Sequence, residues 1–268
     1  MSAEIIEKFT SVYGPVKSWR YGRSLGIDPI GPVSICSFNC VYCQLGEIER
    51  KIIDRAIYIP TERILQDLQN FAPWDVDVIT LSGSGEPTLA LNLAEILSWI
   101  KYVTKRLTLV LTNGTLLSDP EVRSALNLAD RVSVKIDGIS SDQIRRVNRP
   151  VAAVNLSEIW TNIQKFRQEY DGELGIQTMI LTEWDMDTKA QYIEIMQALA
   201  PDEIQLNTPT RPKPVKRQLD GRENHTSSEN RPYEVRSLKC VSANILQEFA
   251  TEINRATGIP VRHAPIGD

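Results

Sequence analysis

The sequence predicts an α/β protein with parallel strands, built either as an open, partial (β/α)6 barrel or as a doubly wound sheet. Short apolar segments rich in β-branched residues alternate along the chain with amphipathic segments. Six such strand–helix units can be recognised, which is fewer than the eight of a closed barrel. Alternation of this kind predicts parallel strands with right-handed crossovers. In both architectures the ligand site lies at the carboxyl ends of the strands.

Six strands and five helices follow in chain order. The predicted strands are residues 31–36, 76–83, 107–114, 131–137, 174–182 and 203–208. The predicted helices are residues 61–72, 91–105, 119–129, 155–170 and 187–200. The first helix shows the pattern well, because Thr61 is the expected N-cap and Ile64 and Leu68 recur at helical spacing.

The chain changes character after residue 208. Residues 209–232 are proline-rich, polar and basic, which predicts a long loop or arm, and residues 241–264 predict one more helix and a short strand. We therefore expect a barrel core with an N-terminal extension over residues 1–208. Residues 209–268 are expected to form the basic arm and a small C-terminal element.

Composition excludes some classes of protein. The 268 residues are 42% hydrophobic with a formal net charge of −4, and no apolar run approaches the roughly 20 residues that span a bilayer. The N-terminus lacks the apolar core of a signal peptide, so we expect a cytoplasmic protein without membrane contact. The acidic balance argues against a protein that coats nucleic acid, although a local basic patch remains compatible with it.

Three cysteines lie within eight positions. Cys36, Cys40 and Cys43 follow the first predicted strand. Clustered cysteines in a reducing compartment indicate a metal site rather than disulfides. Three thiolates suit a cubane iron–sulfur cluster in which one iron stays open for a substrate or cofactor.

Two alternatives remain for this cluster. Structural zinc normally has four protein ligands, and the only further candidates are Cys240, His225 and His263, about 180 residues or more downstream. A four-ligand iron–sulfur or zinc site that includes Cys240 is one alternative. The other is that the cysteines are buried structural thiols.

Polar residues lie at the ends of the later predicted strands. "SGSGEPTL" (82–89) follows the second strand, where glycines allow close approach of the backbone and a carboxylate suits an ammonium group; an ordinary strand–helix turn is the alternative. Strand alternation places Ser133, Lys135 and Asp137 on one face of the fourth strand. These side chains would either face a ligand or include an internal ion pair of the lysine and the aspartate. Further candidates, chosen by strand position alone, are Asn113, Gln177 and Asn207.

These motifs together resemble the radical S-adenosylmethionine (radical SAM) superfamily. The family spacing is Cys-x3-Cys-x-aromatic-Cys, with Tyr42 as the aromatic residue, and "SGSGEP" is similar to its Gly-Gly-Glu-Pro motif with Ser84 in place of the first glycine. The segments 13–51 and "RVNRP" (146–150) look like a group that contains iron–sulfur oxidoreductases and the tRNA wyosine-base enzymes. The wyosine enzymes carry further cysteines for a second cluster, whereas this chain has none before Cys36.

The resemblance implies a cofactor set and a reaction. Cys36, Cys40 and Cys43 would hold a [4Fe-4S] cluster whose open iron binds S-adenosylmethionine. One electron from the cluster cleaves the sulfonium, and the 5′-deoxyadenosyl radical abstracts a hydrogen from the substrate. The positions that match the family's cofactor contacts, or that face the same cavity, are Tyr42, Ser84, Gly85, Glu86, Asn113, Ser133, Lys135, Asp137, Gln177 and Asn207. A flavodoxin- or ferredoxin-type protein would donate the electron.

The substrate is expected to be RNA, a nucleotide-like molecule or a protein. Residues 211–222 hold five basic residues against one acid, which suits RNA phosphates or a solvated linker, and "WRYGR" (19–23) would extend such a surface. Alternative functions are an activase for a glycyl-radical protein and a non-catalytic iron–sulfur or zinc protein.

Overall fold

A sheet of eight strands forms the centre of the protein. The computed structural model describes residues 9–155, 157–223 and 231–265. The strands, in spatial and in chain order, are β1 (Val12–Ser18), β2 (Gly22–Ile27), β3 (Val78–Leu81), β4 (Leu107–Thr112), β5 (Arg131–Lys135), β6 (Glu173–Met179), β7 (Glu203–Asn207) and β8 (Val261–His263). β1 is antiparallel to β2, and β2 to β8 run parallel. The sheet curls into a half-barrel, which confirms the predicted partial barrel.

Every connection between parallel strands contains a helix. In chain order these are α1 (Thr61–Gln69), α2 (Leu93–Thr104), α3 (Pro120–Leu126), α4 (Ser141–Val147), α5 (Ile159–Glu169), α6 (Met186–Leu199) and α7 (Ala243–Thr257). Thr61 is the first residue of α1 rather than its cap, and its hydroxyl donates to Glu95 on α2 instead. α4 was not predicted, although Ser140 and Gln143 form a capping box at its start.

The two faces of the sheet differ in polarity. One row of register neighbours across β3 to β6 is fully buried in the core shared with the helices: Leu81, Val110, Val132 and Leu174. Burial of each such side chain contributes about 1.5–3 kcal/mol relative to exposure. The next position on β5 is Ser133, on the concave face, which also carries Gln177 and Gln205. This alternation is the one that the sequence predicts for the fourth strand.

The turn between β1 and β2 enters the half-barrel. The Tyr21 hydroxyl lies 3.0, 3.1 and 3.2 Å from polar atoms of Ser133, Gln177 and Gln205. Arg20 donates from Nη1 to Gln177 Oε1 at 3.1 Å. The expectation that "WRYGR" presents a nucleic-acid surface is therefore wrong for Arg20 and Tyr21, because both side chains bind the concave face of the sheet.

The first barrel strand was misplaced by the sequence. Residues 31–36 contribute only the short segment Ile35–Cys36, which pairs with Arg50–Lys51. β2 takes the place of that strand in the sheet, and its glycines hide the apolar pattern of Leu25 and Ile27. Glycine is needed at position 26 because the ring of Tyr13 from β1 lies over it, 2.2 Å from the position that a Cβ would take.

The predicted C-terminal helix and strand are both present, and the strand extends the same sheet. Ser242 caps α7, Gly258 ends it in the left-handed conformation, and β8 pairs in parallel with β7. The division of the chain at residue 208 stays a prediction. Among the described helices, none has both the length and the hydrophobicity needed to cross a membrane.

Candidate active site

Cys36 ends the short segment Ile35–Cys36, Cys40 and Cys43 lie on the loop that follows it, and all three cysteines are partly buried. Cys36 and this loop are together called the cysteine loop. The Cys43 N–H donates to the Cys40 carbonyl at 3.1 Å, which curls the loop back on itself. Burial raises the pKa of each thiol, well above its ordinary value for Cys36 and to about 12 for Cys40. Burial therefore favours the neutral thiol over the thiolate, the form that binds a metal.

The donor set suits a cluster better than a single ion. In the described part of the chain, no three His, Cys, Asp or Glu side chains converge as ligands of one metal ion. A cubane cluster binds each cysteine through a different iron, so its thiolates need not meet at one point. Cys240 is exposed and donates to the Pro209 carbonyl at 3.2 Å, and His263 lies on β8. The remaining candidate ligand, His225, lies outside the described residues.

The "SGSGEP" turn is joined to the cysteine loop by backbone hydrogen bonds. The Ile35 N–H donates to the Ser84 carbonyl at 2.9 Å, and the Glu86 N–H donates to the Ile35 carbonyl at 3.1 Å. Gly85 lies between these bonds, and a Cβ there would be 1.7 Å from the Ile35 oxygen. Glycine is therefore required for this close approach. Ser84 is fully buried, and its N–H donates to Asp28 at 2.9 Å.

Glu86 connects two strand ends. Its buried carboxylate accepts from both N–H and hydroxyl of Thr88, from the Thr112 hydroxyl at 2.6 Å and from the Asn113 N–H at 2.8 Å. Burial raises the pKa of this carboxyl against the lowering effect of these bonds. The predicted residues Glu86 and Asn113 are thus adjacent, although 27 positions separate them.

The end of β5 meets the last part of the cysteine loop. Asp137 is inaccessible to solvent and accepts hydrogen bonds from the Tyr42 hydroxyl and the Met179 N–H. Lys135 Nζ lies 3.7 Å from Asp137 Oδ1 and 5.0 Å from the centre of the Tyr42 ring. The predicted Lys–Asp ion pair therefore exists, and it also fixes the aromatic residue of the cysteine motif.

Asn148 completes this group and was not predicted. Its Nδ2 donates to Asp137 Oδ2 at 2.7 Å and to Cys40 Sγ at 3.4 Å. The residue belongs to "RVNRP", whose backbone pairs with the cysteine loop: the Asn39 N–H donates to the Asn148 carbonyl and the Val151 N–H donates to the Ser37 carbonyl, both at 2.9 Å. Residues about 110 positions apart show no local pattern, so only the motif itself signals this contact.

The other predicted residues are distributed over the concave face. Ser133 and Gln177 bind the Tyr21 hydroxyl, as described above. Asn207 ends β7, where its Oδ1 accepts from the Thr208 N–H at 2.9 Å. Tyr21 therefore occupies hydrogen-bonding positions that the sequence analysis assigned to the cofactor.

The basic arm covers the cysteine loop. Lys213 Nζ lies 2.9 Å from Glu47 Oε1, and the Gln218 N–H donates to the Leu45 carbonyl at 2.9 Å. Arg217 Nε lies 2.9 Å from Glu49 Oε2, in an ion pair whose angle is unsuited to a hydrogen bond.

The far end of the arm is held in the same way. Arg222 Nη1 lies 3.0 Å from the buried Asp28, whose other contacts include the Ser84 N–H. Three cations of the arm thus face acids on or beside the site: Lys213, Arg217 and Arg222. The interpretation of the arm as a solvated linker is wrong for these three side chains, which are largely buried, whereas phosphate binding by the arm stays a prediction.

Comparison with known proteins identifies similar sequences. A family model for the radical SAM superfamily matches residues 30–196. The chain is 60% identical over 258 residues to a UPF0026 protein of Synechocystis, covering 96% of this chain and 97% of that protein. A UPF0026 protein of Methanocaldococcus jannaschii is 34% identical over 209 residues, which are 76% of this chain and 64% of that protein.

A solved structure shares the fold. The crystal structure of Streptococcus suis SuiB bound to S-adenosylmethionine matches with a TM-score of 0.58 and 15% identity. The match covers 87% of this chain and 49% of SuiB, so this chain spans about half of that protein.

Proposed function

We propose that this chain, which belongs to the radical SAM superfamily, cleaves S-adenosylmethionine reductively and directs the resulting 5′-deoxyadenosyl radical to a hydrogen atom of a substrate. The chain is a radical SAM enzyme, and that family implies S-adenosylmethionine and an iron–sulfur cluster. The observation that carries the proposal is the meeting of a three-cysteine loop with the polar ends of β3, β4 and β5.

The cysteine loop fits a [4Fe-4S] cluster. Cys36, Cys40 and Cys43 would each bind one iron, and the fourth iron has no protein ligand among the residues discussed above. When bound, such a cluster would supply the electron for reductive cleavage of S-adenosylmethionine. The arm and "RVNRP" each hydrogen-bond to the backbone of this loop and thereby cover part of it.

The strand ends would hold the rest of the cofactor. Ser84, Gly85 and Glu86 are proposed to face the methionine amino group, where a buried carboxylate suits an ammonium ion. Ser133 and Lys135 supply a hydroxyl and an ammonium group for ribose and carboxylate.

The further contacts are assigned by position. Tyr42 is proposed to lie beside the adenine. Its orientation is supported by Asp137, which binds its hydroxyl, and by Lys135, whose ammonium lies over its ring. The remaining proposed positions are Asn113, Gln177 and Asn207. Gln177 already donates a hydrogen bond to the Tyr21 hydroxyl. A cofactor contact at Gln177 would therefore use the part of its amide that Tyr21 leaves accessible.

Radical SAM enzymes need an electron donor, for which we propose a flavodoxin- or ferredoxin-type protein. The substrate is proposed to be nucleotide-like or a protein side chain, bound at the carboxyl ends of the strands. Because Lys213, Arg217 and Arg222 are paired with acids, the arm does not support RNA over a protein substrate.

An anaerobic assay tests the proposal. The chain is reconstituted with iron and sulfide, reduced with dithionite and incubated with S-adenosylmethionine. The formation of 5′-deoxyadenosine and methionine is then measured. We expect about four irons per chain and slow cleavage without substrate. Both should be lost in Cys40→Ala and retained in the matched control Cys240→Ala. A chain that binds zinc alone, or a cluster whose spectrum ignores S-adenosylmethionine, would support the non-catalytic alternative and contradict the proposal.

A further inference from the structure

Two of the three clustered cysteine sulfurs accept hydrogen bonds from side-chain amides. Asn113 Nδ2 lies 3.6 Å from Cys36 Sγ, and Asn148 Nδ2 lies 3.4 Å from Cys40 Sγ. These distances are longer than those of N–H···O bonds because sulfur is the larger acceptor. The two donors come from different segments, Asn113 after β4 and Asn148 after α4, so each sulfur has its own amide donor. The Phe38 N–H also donates to Cys36 Sγ, at 3.4 Å.

Asn148 is held in place independently of the sulfur. Its carbonyl accepts the Asn39 N–H of the cysteine loop, and its own N–H closes the last turn of α4 on the Ile144 carbonyl at 2.8 Å. The second hydrogen of its amide group is used by Asp137 at 2.7 Å. The N–H directed at Cys40 is therefore positioned before any metal binds.

Asn113 is held by an equivalent set of contacts. Its backbone N–H donates to Glu86, its Nδ2 donates to the Ser37 hydroxyl at 2.8 Å, and its Oδ1 accepts from both the N–H and the hydroxyl of Thr115. Fixing of the oxygen by two donors orients the amide, so that its nitrogen faces Cys36.

Hydrogen bonds to ligating sulfurs act on the redox balance of a cluster. Reduction adds one negative charge, which spreads over the thiolate sulfurs, and a fixed N–H donor stabilises the reduced state more than the oxidised one. Such outer contacts tune the potential of a metal site. A neutral amide does so without adding a formal charge to the buried site.

We propose that Asn113 and Asn148 are positioning residues that donate to the Cys36 and Cys40 sulfurs and thereby raise the reduction potential of the cluster. This inference rests on the proposed function only in requiring that the loop bind an iron–sulfur cluster. It does not depend on cleavage of S-adenosylmethionine.

Leucine variants test the role of the two amides. Asn113→Leu, Asn148→Leu and the double variant keep the branched shape of the side chain and remove the donors. Asn155→Leu is the matched control, because Asn155 Nδ2 donates to Glu158 at the surface. Each protein is reconstituted anaerobically, its iron and sulfide are counted, and its potential is measured by redox titration followed by electron paramagnetic resonance, without S-adenosylmethionine.

The expected result is a full cluster with a more negative potential in each single variant. The two shifts should add in the double variant because the donors serve different sulfurs, and the control should match the wild type. An unchanged or more positive potential would overturn the proposal. Loss of iron from both single variants would also overturn it, since the amides would then hold the loop rather than tune the cluster. If Asn148→Leu alone fails to fold, Asn113→Leu decides the matter. Shifted potentials in the variants, together with a wild-type protein that never yields 5′-deoxyadenosine, would refute the proposed function and leave this inference standing.

Discussion

The contact between Gly85 and Ile35 provides a demanding test of how the site is assembled. In Gly85→Ala the new Cβ would lie 1.7 Å from the Ile35 oxygen and 2.6 Å from its carbonyl carbon. Ordinary contacts begin near 3.5 Å, so the two backbones must separate by about 1.5 Å or more. That shift breaks two backbone hydrogen bonds, Ile35 to Ser84 and Glu86 to Ile35.

The expected cost follows from these contacts. Overpacking costs about 1–3 kcal/mol, and each lost hydrogen bond about 0.5–1.5 kcal/mol. The free energy of unfolding should therefore fall by roughly 2–6 kcal/mol. With an m value of about 3 kcal/mol/M, the urea midpoint of the metal-free chain should fall by roughly 0.7–2 M. Because the displaced backbone leads directly into Cys36, the variant should also fail to retain iron after reconstitution.

Gly258→Ala is the matched control. Gly258 has a φ of 72° and no atom within 4 Å of its Cβ position, so alanine there meets backbone strain without a clash. We expect a cost of about 1–2 kcal/mol and normal retention of iron. If Gly85→Ala unfolds at or above the midpoint of this control and holds the wild-type amount of iron, the steric argument is wrong.

Four further predictions concern charges and hydroxyls around the site. Lys213→Glu places a second carboxylate beside Glu47 and should speed loss of iron to a chelator, and adding Glu47→Lys should restore retention if the ion pair is what matters. The hydrogen bond from Asn39, with that from Lys213, lowers the pKa of Glu47. The stability that Glu47 contributes is therefore present above the ordinary carboxyl pKa and is lost as the pH falls through the folded-state value. In Glu47→Gln, the urea midpoint should fall less steeply as the pH is lowered through this range. Burial raises the pKa of Glu86, so the pH dependence that Glu86 contributes has the opposite sign. The free energy of unfolding falls as the pH rises from the ordinary carboxyl pKa through the raised pKa of the folded state, and Glu86→Gln should remove that fall. Tyr21→Phe should lower the free energy of unfolding by about 1–3 kcal/mol, and an unchanged urea midpoint would show that the hydroxyl is dispensable to the concave face.

Strands with a clear alternation could be predicted from the sequence, and strands without one could not. Ser133 and Lys135 interrupt an apolar strand at every second position, so their common face was evident before the structure. β2 reads "GRSLGI", in which two glycines and an arginine leave little apolar pattern. The nearby "GPVSIC" is more apolar, yet it forms only the short pairing that leads into the cysteine loop.

The partners of the cysteines were harder to predict than the cysteines themselves. Cys36, Cys40 and Cys43 are recognised by spacing alone, because ligands from one loop must be close in sequence. Asn148 reaches Cys40 only because α4 ends beside the loop, and a helix of seven residues carries too few periodic positions to be recognised. The contact depends on tertiary structure that no local pattern contains.

The arm shows why a basic composition does not by itself indicate a nucleic-acid partner. The five cations of residues 211–222 were weighed against the single acid of the same segment, whereas the partners of Lys213, Arg217 and Arg222 lie far away in sequence, at Glu47, Glu49 and Asp28. A buried cation needs a nearby acid more than an exposed one does, because water no longer screens it. The side chain of Arg222 is only 7% exposed, and Asp28, its partner, also binds the Ser84 N–H of the "SGSGEP" turn. Through Lys213, Arg217 and Arg222 the arm is therefore a structural part of the cysteine site.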